Sequence, residues 1–493
     1  MTADVAVTES IGREAGRGLR WSLIGTLATK VGSFAMGLAL ARLLAPADFG
    51  VYAIAIAATA VLMHINDVGL IAATVQWRGR LEEMAPTAAT LAILCATGIY
   101  GVFYLAAPVF AESAGNASAT PVVRLLALVI VIDGITAVRS GALMRTFQQG
   151  RLVTANSAGL VANAVVAIGL AVGGAGPFSF AWGQVAGAFV TGVLVFIFGR
   201  VPVRYGFDRA VAGKLMHFGI PLAASLGLEA IVTNVQFAIV GRLTGSEQLG
   251  YYLLAFNVAS WAQTILGQAI RYVSVAGFSR LSEHHDDALS DGVQRSMPLV
   301  VLVVAPIVAL TSVLASPLIT LLYGGRWAPA AAVLQILAGL TIVRMVTGLS
   351  MDALMGAGAT RATLGLNLGW AVVLIPVLWW ATEWDGVRGA AIAQTGVGVL
   401  VAVPLAAFAL RRANVALVPV AVALVRPLLA ALVAAFVAAV VVRFVGPNPF
   451  VRLAVAGSAG LLAYALTAVS RDQLRQLLAL AGRRRAETAP ALE

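Results

Sequence analysis

Of the 493 residues, 60% are apolar and 11% are charged, with a mean hydropathy of +0.92. Soluble domains hold roughly 45–50% apolar and 25% charged residues, so this excess cannot be buried in water-soluble cores and the chain reads as an all-α, polytopic membrane protein. The net charge of +11 comes almost wholly from arginine, Lys30 and Lys214 being the only lysines. Spread so thinly it lacks the basic face of a nucleic-acid binder, and it reads as topology information toward a lipid bilayer. The lone Cys95 excludes an intrachain disulfide framework and a Cys-based zinc cluster.

The first nineteen residues are polar and carry arginine, and the apolar run behind them exceeds the length of a signal-peptide core, so it is expected to stay as the first span. About 20 apolar residues cross the hydrocarbon. Runs of that kind place spans at 21–44, 51–75, 88–110, 121–145, 154–174, 178–199, 214–241, 249–271, 297–322, 329–355, 361–381, 388–410, 417–443 and 451–469. That is fourteen, with twelve as the alternative. Turn chemistry separates them at Ala45-Pro46-Ala47-Asp48, Gly173-Gly174-Ala175-Gly176-Pro177, Gly324-Gly325 and Gly446-Pro447-Asn448-Pro449. Pro306, Pro376 and Pro404 fall inside spans and predict kinks.

With both termini placed in the cytoplasm, 23 of the 33 Lys and Arg lie in inside segments, six in outside segments and four within spans (Lys30, Arg124, Arg344, Arg426). Such a bias predicts cytoplasmic termini. The chain also repeats itself. Arg42-Leu43 followed by Asp48-Phe49-Gly50-Val51-Tyr52 recurs 200 residues on as Arg242-Leu243 followed by Gln248-Leu249-Gly250-Tyr251-Tyr252. Six helices with their loops fill that offset, and an even number makes the copies enter the membrane in the same sense, as in transporters built from parallel halves. The expected organisation is a cytoplasmic tail (1–20), an N-terminal lobe of helices 1–6 (21–199), a linker (200–213), a C-terminal lobe of helices 7–12 (214–410), helices 13–14 (411–469) and a cytoplasmic tail (470–493). The two parallel six-helix lobes are expected to surround a central cavity.

No catalytic constellation appears: there is no phosphate-binding Gly-rich loop before Lys-Ser/Thr, no G-x-S-x-G and no H-E-x-x-H. His284-His285-Asp286-Asp287 has a metal-like composition, but four adjacent residues cannot converge on one ion, and no metal or cofactor is expected. The longest outer loop, about 111–120, leaves little room for outer-face chemistry by Glu112, Glu383 or Asp385. Ionisable side chains at membrane depth are the remaining signal: Lys30, Asp67, Arg124, Asp133, Glu229, Arg344 and Asp352. Facing lipid, each would cost about 2.5–3.5 kcal/mol, so they are expected to face an interior pathway. Lys30 maps through the repeat to position 230, beside Glu229, which raises a charge pairing across the lobes as one use of both; Asp133 and Glu229 are the candidates for coupling H+ or Na+. Lys30, Arg344 and Arg124 are candidates for a diphosphate, a guanidinium fork matching phosphate oxygens bidentately, with helix packing or snorkelling as their structural use. Asn234, Gln236, Asn257 and Gln263 are candidates for sugar hydroxyls, with interhelical hydrogen bonding as the other use.

Three stretches carry a resemblance: Leu40-Ala41-Arg42-Leu43-Leu44-Ala45-Pro46-Ala47-Asp48-Phe49-Gly50-Val51-Tyr52, then Asp67-Val68-Gly69-Leu70 with Ala73, then Leu322-Tyr323-Gly324-Gly325-Arg326-Trp327-Ala328-Pro329-Ala330. They resemble the polysaccharide transport (Wzx-like) flippases of the multidrug/oligosaccharidyl-lipid/polysaccharide exporter superfamily. The resemblance implies a two-lobed helical carrier in the bacterial plasma membrane. Its substrate would be undecaprenyl-diphosphate-linked oligosaccharide, moved by alternating access for capsule, exopolysaccharide or O-antigen synthesis alongside a polysaccharide polymerase and related machinery. The matching stretches look like structural corners, so no binding residue is carried over from them. The rival expectations are a cation-coupled multidrug antiporter of the same superfamily and a polytopic glycosyltransferase or polymerase.

Overall fold

The structure, a computed structural model, describes residues 25, 28–76, 80–146, 148–199, 205–282, 288–356 and 360–468, and no strand occurs among them. The chain runs through α1 (28–43), α2 (Pro46–Gln76), α3 (Leu81–Ser113), α4 (Thr120–Arg145), α5 (Gln149–Val172), α6 (Phe178–Phe198) and α7 (Arg209–Ser282). It continues through α8 (Ala288–Val313), α9 (Ala315–Tyr323), α10 (Pro329–Gly356), α11 (Thr360–Val397), α12 (Val403–Arg412), α13 (Leu417–Phe444) and α14 (Pro449–Ala468). Ten helical stretches among the described residues are long and apolar enough to cross a membrane. The protein is a multi-pass membrane protein. Its lipid-facing residues reverse the soluble pattern: Leu105 on α3 is 77% exposed and Leu466 on α14 is 81% exposed.

Two helices are too long for one crossing. The 74 residues of α7 would span about 110 Å at 1.5 Å per residue, and the helix breaks at Gly245, whose φ of 82° and ψ of 171° only glycine adopts without strain. α11 breaks likewise at Asp385 and Gly386, the latter at φ 57°. Trp380 and Trp384 stack at 6.2 Å just before that break, both exposed, as tryptophans do at the membrane interface. The paired spans expected at 214–241 and 249–271 are the arms of α7; that expected at 361–381 is the first arm of α11, and that expected at 388–410 is its second arm continued through the turn at Gly398–Ala402 into α12.

The span expected at 297–322 is instead two helices, α8 and α9, divided at Leu314. Pro317 explains the break: it has no N–H to give the Val313 carbonyl, and its ring crowds that carbonyl. Pro404 acts similarly, and the turn before it widens to a π-helix at Gly398–Ala402. Pro306 and Pro376 sit inside α8 and α11, which run on past them.

The chain forms two compact units, Met1–Leu254 with Ile375–Ala390, and Ala255–Leu374 with Ala391–Glu493. In the first, hydrogen bonds tie neighbouring helix ends together at both ends of the unit. Pro46 occupies the first position of α2, and Asp48 Oδ2 accepts from the Ala45 N–H at 2.9 Å, a side chain reaching back over the helix start. At the same end, Asn116 donates from Nδ2 to Ser246 Oγ at 2.5 Å and Arg242 donates to the Ser113 carbonyl at 3.2 Å. At the opposite end, Asp208 caps α7 by accepting from the N–H groups of Ala210 and Val211, and its own N–H reaches Thr87 Oγ1 at 3.0 Å.

The two copies of the repeat meet in this unit. A methyl group on Gly50 would run into the Ser246 carbonyl, and one on Gly250 would run into the Pro46 carbonyl. Position 46 corresponds to 246 and position 50 to 250, so the contact is reciprocal, the arrangement a local two-fold produces. Glycine stands at both positions because the backbones cross there. The tyrosines that follow anchor each copy: Tyr52 accepts from Gln184 and stacks on Phe180 at 4.1 Å, and Tyr252 donates to Gln236 at 2.8 Å.

The second unit packs α8 against α10 and α13. Val300, Val304 and Val308 face Ala338, Met345 and Leu349 in one cluster, and Val301 and Ala305 face Ala430, Ala434 and Tyr464 in another. The small residues of α13 let α14 approach, and the Tyr464 hydroxyl donates to the Leu302 carbonyl at 2.7 Å. Asn448, in the turn expected at 446–449, caps α14 by accepting from the Phe450 N–H at 3.0 Å.

Candidate functional site

In the first unit a cavity of about 520 Å³ lies among α1, α4, α5 and α6, toward the end of the unit that holds the α4–α5 turn. Its position follows from how α1 meets α5. Gly25 and Gly32, seven residues apart, receive Val153 and Leu160, also seven apart, so the two helices lie close along one stripe. α6 closes the far side, where Thr191 and Val195 sit one turn apart.

The lining is polar for a membrane bundle. α4 contributes Asp133, Thr136 and Ser140 at i, i+3 and i+7, one helical face. α5 contributes Gln149 and Asn156, again seven apart, and α1 contributes Thr29 and Lys30. Three of the lining hydroxyls have nearby carbonyls: Thr29 donates to the Gly25 carbonyl at 2.8 Å, Thr136 to the Asp133 carbonyl at 3.1 Å and Thr191 to the Ala155 carbonyl at 3.3 Å. The cavity therefore sets one ammonium and one carboxylate among hydroxyls and amides. Charges at this depth are tolerated where water or a polar ligand replaces lipid.

The structure brings Lys30 and Asp133 together on this cavity, which the internal repeat did not indicate. Glu229, beside the position that the repeat matches to Lys30, has a side chain outside the described residues, as do Asp67 and Gln263. His284 to Asp287 also lie outside them. Arg124 does not line this cavity. It sits near the start of α4, its guanidinium 4.1 Å from the Tyr104 ring centroid and its Nε donating to the Tyr104 carbonyl at 3.0 Å.

Arg344 belongs to the second unit, half-buried on α10 with its guanidinium 4.7 Å from the Phe256 ring centroid. One turn earlier, Thr341 donates to the Ala259 carbonyl at 2.9 Å, so this face of α10 is the one that packs on the second arm of α7. Asp352 is buried two turns further on. Among the amides, Asn234 donates to its own helix at the Ala230 carbonyl (2.9 Å), Gln236 links the Thr233 carbonyl to Tyr252, and Asn257 is exposed. The cavity residues that reasoning from charge overlooked are Thr29, Thr136, Ser140, Gln149, Asn156 and Thr191. The helical spacing of Asp133, Thr136 and Ser140 is the signal that could have found them.

A family model described as polysaccharide biosynthesis protein matches residues 39–332, more than half of the chain. The chain belongs to this polysaccharide biosynthesis protein family. Helices α2 to α9, and with them every wall of the cavity from Asp133 onward, fall within the match, whereas Thr29 and Lys30 of α1 precede it. Over nearly its full length the chain is similar to the succinoglycan biosynthesis transport protein ExoT of Rhizobium meliloti, with 25% identity over 492 residues, 96% of this chain and 97% of that one. It is similar as well to the lipopolysaccharide biosynthesis protein WzxC of Escherichia coli, with 22% identity over 369 residues, 73% of this chain and 74% of that one. The fold is that of the lipid II flippase MurJ in its inward closed conformation: TM-score 0.77 at 14% identity, covering 93% of this chain and all of that one. An inward-facing multidrug transporter of the MATE family shares it with a TM-score of 0.63 at 14% identity, covering 80% of this chain and 99% of that one.

Proposed function

We propose that this family member is a flippase that carries undecaprenyl-diphosphate-linked oligosaccharide repeat units across the bacterial plasma membrane for surface polysaccharide synthesis, by alternating access and with both termini in the cytoplasm. The observation that carries the reading is the polar cavity holding Lys30 and Asp133 inside an otherwise apolar bundle. A lipid-linked sugar needs a cation for its phosphates and hydroxyls and amides for its glycan, and the cavity supplies both. The full-length likeness to a transport protein of polysaccharide synthesis supports the same reading. With that orientation the cavity opens toward the cytoplasmic leaflet, where such a substrate is assembled. Asp133 is the carboxylate placed to couple H+ or Na+, and Arg344 is a second cation for the diphosphate at another stage of the cycle. No enzymatic step is assigned.

A cation-coupled drug antiporter is the second reading, favoured by the shared MATE fold. The ammonium of Lys30 opposes a cationic drug in this cavity. The test is Lys30→Ala in a host lacking its own exporter. Surface polysaccharide should fall to the level of the empty host while the protein remains in the membrane, and a Lys30→Arg variant should recover export. Unchanged export with Lys30→Ala overturns the cationic site, and drug resistance without export favours the antiporter.

A further inference from the structure

The polar groups of the cavity are sorted by level along the bundle. Gly25 meets Val153 and Gly32 meets Leu160, so α1 and α5 run in the same sense and Thr29 stands within a residue of the level of Asn156. Thr191 on α6 joins that level, packed against Gly159 and donating to the Ala155 carbonyl at 3.3 Å. Its neighbour Gly192 brings in Thr136, whose Cγ2 would stand 3.1 Å from a methyl added to that glycine. Thr29, Thr136, Asn156 and Thr191 thus form one belt around the cavity, a residue from each of its four helices. Lys30 and Asp133 sit just past the belt, on the side away from the α4–α5 turn. Lys30 is the next residue on α1, and Asp133 lies three residues, about 4.5 Å, before Thr136 on the oppositely running α4.

The levels also differ in the sense of their hydrogen bonding. A threonine hydroxyl has one proton to give, and all three threonines of the belt give theirs to a helix carbonyl. What their oxygens have left to offer a ligand is lone pairs. Asn156 is exposed on the cavity and makes no side-chain hydrogen bond among the described residues, so it brings two N–H donors as well as a carbonyl oxygen. Lys30 has the opposite character, three donors and no acceptor. A phosphate oxygen only accepts, so it is drawn to Lys30 and finds no donor on the threonines. A sugar hydroxyl can donate to the threonines and accept from Asn156.

We propose that this belt is the subsite of the sugar bonded directly to the diphosphate, with Asn156 as its specificity-determining residue, and that a sugar must carry free hydroxyl donors to be held there. The inference rests on the flippase reading and adds a register to it: the diphosphate at the level of Lys30, the first sugar at the belt, and the rest of the glycan toward the α4–α5 turn, where Ser140 and Gln149 continue the polar lining. A site built to hydrogen-bond hydroxyls rejects a ligand that lacks them, because its own polar groups are then left unpaired.

The test uses the purified full-length protein in detergent, with lipid binding read by native mass spectrometry. The probes are undecaprenyl diphosphate alone, the same lipid bearing one glucose, galactose or N-acetylglucosamine, and the O-methylated form of each glycolipid, which keeps the sugar oxygens as acceptors and removes their protons. At least one glycolipid should bind roughly tenfold more tightly than the bare lipid, and its O-methylated form should lose most of that gain. Asn156→Leu should cut the ratio of glycolipid to bare-lipid affinity roughly tenfold, and Thr191→Val, which keeps the shape and removes the hydroxyl, about threefold. Lys30→Ala should weaken both lipids together. If Asn156→Leu does not elute as the parent protein does, Thr191→Val carries the same test of the ratio. No preference for any glycolipid, an O-methylated form that binds as tightly as its parent, or a ratio indifferent to both belt variants overturns the proposal, and the flippase reading stands as long as Lys30→Ala weakens the bare lipid. Failure of every undecaprenyl lipid to bind, or to respond to Lys30→Ala, overturns both.

Discussion

The crossing of the two repeat copies makes a sharp prediction for Gly50→Ala and Gly250→Ala. In an unobstructed helix, exchanging Gly for Ala is worth about 1 kcal/mol of stability in favour of Ala. At Gly50 the new methyl meets the Ser246 carbonyl, and at Gly250 it meets the Pro46 carbonyl. Both obstacles are backbone, which cannot rotate away as a side-chain tip would. Overpacking of that kind costs about 1–3 kcal/mol, so each substitution should be destabilising on balance. Because the contact is reciprocal, the first methyl already forces the helices apart at the crossing. The double variant should therefore fall short of the sum of the singles by about 0.5–3 kcal/mol, the coupling expected of residues in one contact. Thermal unfolding in detergent, followed by size-exclusion fluorescence, measures the series. Gly169→Ala is the control, since Gly169 lies inside α5 with open space around its Cα. Gly50→Ala as stable as Gly169→Ala, or strict additivity of the double variant, would refute the reciprocal crossing.

Two further outcomes follow from the same end of the first unit. Asp48→Ala removes the acceptor that reaches the Ala45 N–H at 2.9 Å and the negative charge at the start of α2, and should lower stability by about 0.5–2 kcal/mol, with Asp48→Asn recovering part. Equal melting of Asp48→Ala and the parent protein would show that the turn holds itself. Asn116→Ala removes the acceptor of the Ser118 N–H and the donor to Ser246, for a loss of about 1–2 kcal/mol. Combining it with Ser246→Ala should cost less than the two separately, and additive melting shifts would count against the bond.

Much of the fold is legible in the sequence because lipid imposes a simple rule. Every backbone polar group in hydrocarbon must be satisfied within its own helix, so apolar length marks each crossing and Gly, Pro and Asn mark each turn. The turns at 45–48 and 446–449 stand where their residues place them, and the 200-residue repeat reappears as a physical contact between its copies. The division of α8 from α9 falls inside one unbroken apolar run, where length and hydropathy do not show it; its mark is Pro317, four residues past the carbonyl it crowds.

The candidate site was legible only in part. Charge at membrane depth singles out Lys30 and Asp133 one by one, since an ionised group is costly in lipid wherever it lies. Their meeting on one cavity depends on the rotation of α1 and α4 about their axes and on the closeness of α1 to α5, which Gly25 and Gly32 set through contacts more than a hundred residues away. Composition and spacing thus determined the class, the crossings and the repeat, because these depend on each helix and its solvent alone. The companions of each charge were decided by tertiary packing, because helix rotation is fixed by side chains on other helices.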